Sequence, residues 1–123
     1  MFLRTAAVSL TVLYALVAGG VTAEQPTPRK VRVEAERFNF SPSRINVAVG
    51  EEIEIHLRSA DTSHGFRVEG TDINVEIPKR GKGEIVVRFT GTSEGRFKFE
   101  CSRMCGAGHH FMRGELVVEA KGQ

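Results

Sequence analysis

The sequence predicts an all-β domain, an antiparallel sandwich or barrel of seven or eight short strands. Seven short segments of this 123-residue chain alternate polar and apolar residues, which is the pattern of strands with one buried face. Glycine, proline, serine and aspartate fill the gaps between the segments, as expected for tight turns. No window after residue 24 shows a convincing helical period. The length fits a single domain with one modest core.

The alternating segments account for most of the chain after residue 29. In each of them the apolar side chains recur every second residue, so that they share one face of a sheet. The segments are residues 30–35, 44–49, 52–57, 73–77, 84–89, 96–99 and 115–118. Turn residues such as Gly50, Pro78 and Gly91 lie between them.

The N-terminal segment has the pattern of a secretory signal. Arg4 gives a basic start, residues 5–21 carry no charge, and Val21-Thr22-Ala23 supplies small residues for cleavage. We therefore expect a signal helix within residues 1–23, a linker at 24–29 and the folded domain at 30–123. The protein is expected to be exported and periplasmic, with membrane contact only if the signal segment stays uncleaved.

Charge and composition exclude several classes of function. The formal net charge is +2, and basic and acidic residues alternate along the chain instead of forming the basic stripe of a nucleic-acid-binding protein. We expect no nucleic-acid partner. No pattern of a general base or nucleophile is visible, so any catalysis would belong to a complex of which this chain is an accessory subunit.

Most of the residues that could bind a metal lie in one segment close to the C-terminus. Cys101, Cys105, His109 and Met112 follow one another as Cys-x3-Cys-x3-His-x2-Met, between two predicted strands. Thiolate, imidazole and thioether together favour copper over magnesium or calcium, and the thioether favours copper over zinc. A loop alone rarely completes a metal site, and we expect His64 to supply the remaining ligand.

The other two histidines have weaker patterns. His56 lies on the polar face of a predicted strand, where an exposed histidine is expected. His110 directly follows His109, so that one of the pair should point away from a metal. The spacing to Met112 favours His109 as the ligand, and His110 is a candidate port for electrons at the surface.

These residues resemble the binuclear CuA site of cytochrome c oxidase subunit II. That family has Cys-Ser-Glu-Leu/Ile-Cys-Gly-x-x-His-x-x-Met in its loop and Asp-x-x-His upstream. The resemblance covers roughly residues 56–119, and 38–42 resembles the opening strands of cupredoxins. The matching residues here are Asp61, His64, Cys101, Ser102, Cys105, Gly106, His109 and Met112. The resemblance implies a cupredoxin-like Greek-key β-sandwich, as a stand-alone exported domain.

The resemblance also implies a cofactor and a ligand set. Two copper ions would be bridged by both thiolates, with His64 and His109 each binding one copper. Met112 and the backbone carbonyl of Arg103 would be the weak axial ligands. The implied function is one-electron transfer with a redox partner such as a cytochrome c or a terminal oxidase or reductase. Arg103 departs from the family, whose Glu at this position helps to hold a magnesium ion, and the sequence contains no Trp.

Three alternatives remain open on the sequence alone. Cys101 and Cys105 could form a disulfide without metal, because an exported chain meets an oxidising environment. Cys105, His109, Met112 and His64 could instead form a mononuclear type 1 copper site. The same ligands could also hold copper in transit, as in a periplasmic copper carrier or chaperone.

Overall fold

The computed structural model describes residues 12, 14–16 and 18–122 of the chain. The signal helix expected within residues 1–23 lies largely outside the described residues. Between residues 18 and 28 the chain forms neither helix nor strand. In the part that the structure describes, no helix has the length and apolar character needed to cross a membrane.

Two β-sheets form the domain and confirm the predicted sandwich. The four-stranded sheet has the order β2-β1-β4-β7, and the five-stranded sheet has the order β3-β9-β8-β5-β6. A single 3₁₀ turn, His109–Phe111, is the helical element of the described residues. The strands are β1 Arg29–Glu36, β2 Asn39–Ser41, β3 Arg44–Ala48, β4 Glu52–Ser59, β5 His64–Val68, β6 Asn74–Ile77, β7 Ile85–Thr90, β8 Gly95–Glu100 and β9 Arg113–Glu119.

The expectation of a purely antiparallel arrangement is wrong for two strand pairs. β1 runs parallel to β4, with Val33 opposite Leu57, and β3 runs parallel to β9, with Val47 opposite Val118. The other pairs are antiparallel. Alternation shows which face of a strand is buried, and that pattern is the same in both directions. The sequence pattern therefore predicts the strands without their direction.

The core lies between the two sheets and continues into the loop after β8. Phe40, Phe66 and Phe99 meet in its centre, with ring centroids 5.0 to 5.7 Å apart. The same apolar cluster includes Cys101, Cys105 and Met112. These three candidate ligands are therefore packed into the end of the hydrophobic core, where they are held firmly and kept dry.

Two strands were not predicted from the alternation of polar and apolar residues, and one of them carries a candidate ligand. The segment that forms β5 is not among the alternating segments predicted to be strands. In the structure it is a strand between β8 and β6, with only Arg67 exposed. Burial on both faces removes the alternation by which half-buried strands are recognised. The short β2 has a single buried residue, Phe40, which gives too little pattern to detect.

Candidate metal centre

The structure brings the side chains of five predicted site residues together at one end of the sandwich. The thiol sulfurs of Cys101 and Cys105 lie 3.6 Å apart. His64 Nδ1 is 4.0 Å from the Cys101 sulfur, and His109 Nδ1 is 3.7 Å from the Cys105 sulfur. The potential metal-binding atoms of His64, Cys101, Cys105 and His109 thus form a row of imidazole, thiol, thiol and imidazole, called the donor row below.

Each thiol also has beside it one further atom that could bind a metal weakly. The Met112 Sδ atom lies 3.8 Å from the Cys105 sulfur. The carbonyl oxygen of Arg103, the sixth predicted residue, accepts a hydrogen bond from the Cys101 thiol at 3.0 Å. Every thiol is therefore flanked by one imidazole nitrogen and one neutral donor of another kind.

The loop after β8 is closed by its own backbone. The Cys101 N–H donates to the carbonyl of Met112 at 3.1 Å, so the loop leaves and re-enters the sheet at neighbouring points. The Phe111 N–H donates to the Gly108 carbonyl at 3.0 Å and the Met112 N–H to the His109 carbonyl at 3.2 Å, and these two bonds form the 3₁₀ turn. Cys101 and Cys105 are 4% and 6% exposed and Met112 is fully buried. Water is therefore largely excluded from the sulfur atoms.

His64 is fixed by a carboxylate on its far side. The imidazole is completely buried at the start of β5, and its Nε2 atom lies 2.7 Å from Asp61 Oδ1. An Nε2–H donor to this carboxylate leaves Nδ1, the atom facing Cys101, free to bind a metal. Burial acts to raise the pKa of Asp61, but hydrogen bonds from Arg37 N–H, His64 and Thr62 N–H outweigh it and lower that pKa.

A glycine allows β5 to approach the loop. A Cβ atom added at Gly65 would lie 2.2 Å from the hydroxyl oxygen of Ser102 and 2.7 Å from its backbone nitrogen. The Gly65 N–H points at the Cys101 sulfur, 3.4 Å away. Only glycine permits this contact, because the backbone of the loop occupies the space that a side chain would need.

The two cysteines are free thiols in the structure. Their 3.6 Å separation is well beyond the roughly 2.05 Å of a disulfide bond. Burial, together with the interaction with the neighbouring Cys101 thiol, raises the pKa of Cys105 to about 11. In the metal-free protein this thiol therefore stays protonated at neutral pH, and binding of a thiophilic metal would release its proton.

The donor set fits copper. Two thiols, two imidazole nitrogens and a thioether are soft or borderline ligands, and the remaining donor is a peptide carbonyl. Magnesium and calcium require mostly oxygen ligands, whereas a structural zinc site uses four donors and has no need of a thioether. His64, Cys101 and Cys105 place their donor atoms within 4.8 Å of one another.

Several contacts at the site were not predicted. Arg37 donates from Nε to the carbonyl of Cys105 at 2.8 Å, across 68 residues of sequence. The Arg103 side chain forms an ion pair with Glu76 of β6. No sequence pattern near these residues indicates contacts between residues so far apart in the chain, so the contacts can be identified only from the fold.

The two remaining histidines lie outside the donor row. His56 Nδ1 is 3.0 Å from Glu84, and its side chain is 16% exposed, so it is more buried than the expected surface residue. His110 is exposed, with its ring centroid 5.3 Å from that of His109. Its imidazole therefore lies at the surface beside the predicted ligand.

Comparison with known proteins agrees with the fold. A model of the cupredoxin-like domain matches residues 7–118. The chain belongs to this family. It is 40% identical over 103 residues to cytochrome c oxidase subunit 2 of Thermus thermophilus, covering 83% of this chain and 74% of that relative. The cupredoxin-like domain described here is thus a relative of an oxidase subunit.

Solved structures show the same fold in two settings. The periplasmic domain of cytochrome oxidase subunit II from Bradyrhizobium japonicum matches with a TM-score of 0.69 and 15% identity, over 78% of this chain and 88% of that one. The metal-binding domain of a Cu(I)-exporting P-type ATPase from Streptococcus pneumoniae, solved with Cu(I), matches with a TM-score of 0.62 and 25% identity. That match covers 79% of this chain and 91% of that one.

Proposed function

We propose that this cupredoxin-like domain is an electron-transfer protein that binds two copper ions between its two cysteines. The observation that carries the proposal is the row of imidazole, thiol, thiol and imidazole, with both thiols buried and 3.6 Å apart. Cys101 and Cys105 would bridge the ions, and His64 and His109 would each bind one of them. Met112 and the carbonyl of Arg103 would be weak ligands.

The protein supplies a dry and rigid setting for such a centre. When bound, a copper pair that shares two thiolates provides a one-electron redox group whose charge is spread over both metals. Cys101, Cys105 and Met112 hold their sulfur atoms inside the hydrophobic core. Asp61 fixes the ring of His64 through a 2.7 Å hydrogen bond. Ligands held in this way move little when the charge changes, which favours rapid electron transfer.

The arrangement favours a pair of metals over a mononuclear type 1 site. A type 1 site needs two imidazoles around one thiolate. Here each thiol has its own imidazole, with His64 beside Cys101 and His109 beside Cys105. The first thiol would have no role in a mononuclear site built on Cys105, although it is equally buried and lies in contact with the second.

Electrons would cross the surface formed by the 3₁₀ turn. His110 and Phe111 are exposed there, Phe111 by 83%, and Met104 of the same loop is 75% exposed. A partner can therefore approach the His109 end of the row closely. We propose that the partner is a c-type cytochrome or a terminal oxidase or reductase, and that the protein works in the periplasm, which the kinship with an oxidase subunit supports.

A copper carrier is the second candidate, favoured by the likeness to the Cu(I)-exporter domain. A carrier should expose its metal for transfer to a partner. The burial of Cys101, Cys105 and Met112 points instead to a metal that is kept in place. The two functions differ in how many ions are bound and how fast they leave.

Copper titration followed by chelator challenge tests the proposal. We expect two copper ions per chain and slow release to a Cu(I) chelator. Cys101→Ala and Cys105→Ala should each abolish the binuclear centre, since each thiol bridges. His56→Ala is the matched control, because it removes an imidazole outside the donor row and should leave the copper count unchanged. One rapidly released ion per wild-type chain would support the carrier instead.

A further inference from the structure

The turn between β1 and β2 contacts the metal loop, although it belongs to the sheet that contributes no predicted ligand. Arg37 Nε donates to the carbonyl oxygen of Cys105 at 2.8 Å. The backbone N–H of the same residue donates to Asp61 Oδ2 at 3.0 Å. Asp61 in turn binds His64 through its other oxygen. One arginine therefore connects the backbone of one predicted ligand with the carboxylate that fixes another.

The next residue of the turn packs against the two glycines of the loop. A Cβ atom at Gly108 would lie 2.3 Å from the ring of Phe38, and one at Gly106 would lie 2.9 Å from it. The ring of Phe38 also contacts the hydrophobic core. The loop between Cys105 and His109 is thus pressed against an aromatic ring that is itself anchored in the sandwich.

We propose that Arg37 and Phe38 are positioning residues that hold Cys105 and His109 in place before a metal binds. This inference rests on the proposed function of the site. Without the turn, the segment from Cys105 to Gly108 would be held mainly by its own hydrogen bonds, and its glycines leave the backbone free to adopt other conformations. Arg37 fixes the backbone at Cys105, and Phe38 limits the movement of the glycines that follow.

Arg37 can act through its hydrogen bond or through its charge, and substitutions separate the two. Arg37→Gln keeps a shorter donor without the charge, Arg37→Lys keeps the charge without the planar guanidinium, and Arg37→Met keeps neither. All three retain the backbone N–H that binds Asp61. Arg44→Met is the matched control. Arg44 is exposed, and its ion pair with Glu115 is weak because the two atoms are 4.0 Å apart.

The first experiment compares these variants with and without copper. We expect Arg37→Met to release copper to a Cu(I) chelator about tenfold faster than wild type, the usual effect of losing a residue that supports a metal ligand. Amide hydrogen exchange in the metal-free protein should rise about tenfold at residues 105–108 and stay unchanged in β4. Arg37→Lys should fall between these values if the charge contributes, and Arg44→Met should match wild type.

Unchanged exchange at residues 105–108 and unchanged copper release in Arg37→Met would overturn the positioning role. The metal-free measurement also separates this inference from the proposed function. If the wild-type protein binds no copper pair but the exchange still rises in Arg37→Met, the positioning role stands and the proposed function fails. If the copper pair forms and the exchange does not change, the reverse holds.

A double substitution tests Phe38 independently. Gly108→Ala introduces a methyl group that meets the Phe38 ring, and we expect copper release to become about tenfold faster. Phe38→Leu alone should also release copper faster, because the ring no longer limits the movement of the glycines. The double variant Phe38→Leu/Gly108→Ala should release copper more slowly than either single variant, because the methyl group occupies part of the space that the ring leaves. Denaturant unfolding of each variant shows how much of the change is global. If the double variant releases copper as fast as the product of the two single effects, Phe38 does not position the loop.

Discussion

The two imidazoles of the donor row lie in opposite environments. His64 begins a central strand, is completely buried and is fixed by Asp61 at 2.7 Å. His109 begins a short 3₁₀ turn, is half-buried and has the exposed His110 and Phe111 as neighbours. Both rings point their Nδ1 atoms at a thiol, at 4.0 and 3.7 Å.

This difference assigns separate tasks to the two ends of the site. The His64 end is built into the five-stranded sheet and supplies rigidity. The His109 end lies close to the surface and, under the proposed function, would give a redox partner access. A centre that keeps its geometry while exchanging electrons would need both properties, and the fold offers them at the two ends of a single row of predicted ligands.

The largest difference should appear when each imidazole is removed. His64→Gly leaves a buried cavity and removes one of the hydrogen-bond partners of Asp61, so we expect loss of the copper pair and a fall of about 3 kcal/mol in unfolding free energy. His109→Gly should also lose the native spectrum, but with little change in unfolding free energy. Added imidazole should restore the spectrum in His109→Gly alone, because only that end is open to solvent.

Absorption spectra and chemical denaturation measure both effects in the same samples. His110→Gly serves as the control, since its imidazole is exposed and outside the donor row. Equal rescue of both variants by imidazole would show that the His64 end is as open to solvent as the His109 end, which would contradict the proposed difference between them.

The rigid end should also be sensitive to a single methyl group. Gly65→Ala places a Cβ atom 2.2 Å from the Ser102 hydroxyl and 2.7 Å from backbone, so β5 and the loop must separate. We expect a loss of about 2 kcal/mol in stability and an altered copper spectrum. Gly91→Ala overpacks against Val118, remote from the donor row, and should destabilise the fold with no change in the spectrum. Identical spectra in both variants would contradict the account of Gly65.

A moderate effect is expected from the thioether. Met112 is completely buried, and its sulfur lies 3.8 Å from Cys105. Met112→Leu conserves volume, so stability should fall by less than about 1.5 kcal/mol. The copper pair should remain while its reduction potential shifts, since a weak ligand is lost. Protein-film voltammetry beside the wild type measures the shift, and an unchanged potential would show that the sulfur does not reach the metal.

The smallest effect should come from Arg103. A positive charge near the metals favours the reduced form, so Arg103→Glu should lower the reduction potential. The side chain is 51% exposed and paired with Glu76, and solvent weakens such charges. The shift should therefore be smaller than that in Met112→Leu. Glu76→Gln releases the positive charge from its partner and should move the potential upward; a shift in the same direction as Arg103→Glu would refute the field effect.

The sequence was a good guide to the strands and to the residues that the structure brings together at the candidate site. Alternation located seven of the strands because their two faces meet different surroundings. The spacing from Cys101 to Met112 identified the loop, because a short loop must carry its donors close together in sequence. Strand direction could not be predicted, because alternation looks the same in parallel and antiparallel pairs. β5 could not be recognised, because a strand buried on both faces shows no alternation.

The supporting contacts could not be predicted in the same way. Arg37 meets Cys105 across 68 residues, and nothing near either residue indicates the pairing. Arg103 was expected to act through its backbone carbonyl, which does lie 3.0 Å from Cys101. Its ion pair with Glu76 depends on the position of β6, which only the three-dimensional fold defines.

Electron paramagnetic resonance of the copper-loaded protein, with a metal count on the same sample, tests the central claim most directly. In the proposed centre, two copper nuclei would share one unpaired electron. Two copper ions per chain and a seven-line hyperfine pattern are therefore expected. One copper ion per chain with a four-line pattern would contradict this expectation and would assign the site to a single metal.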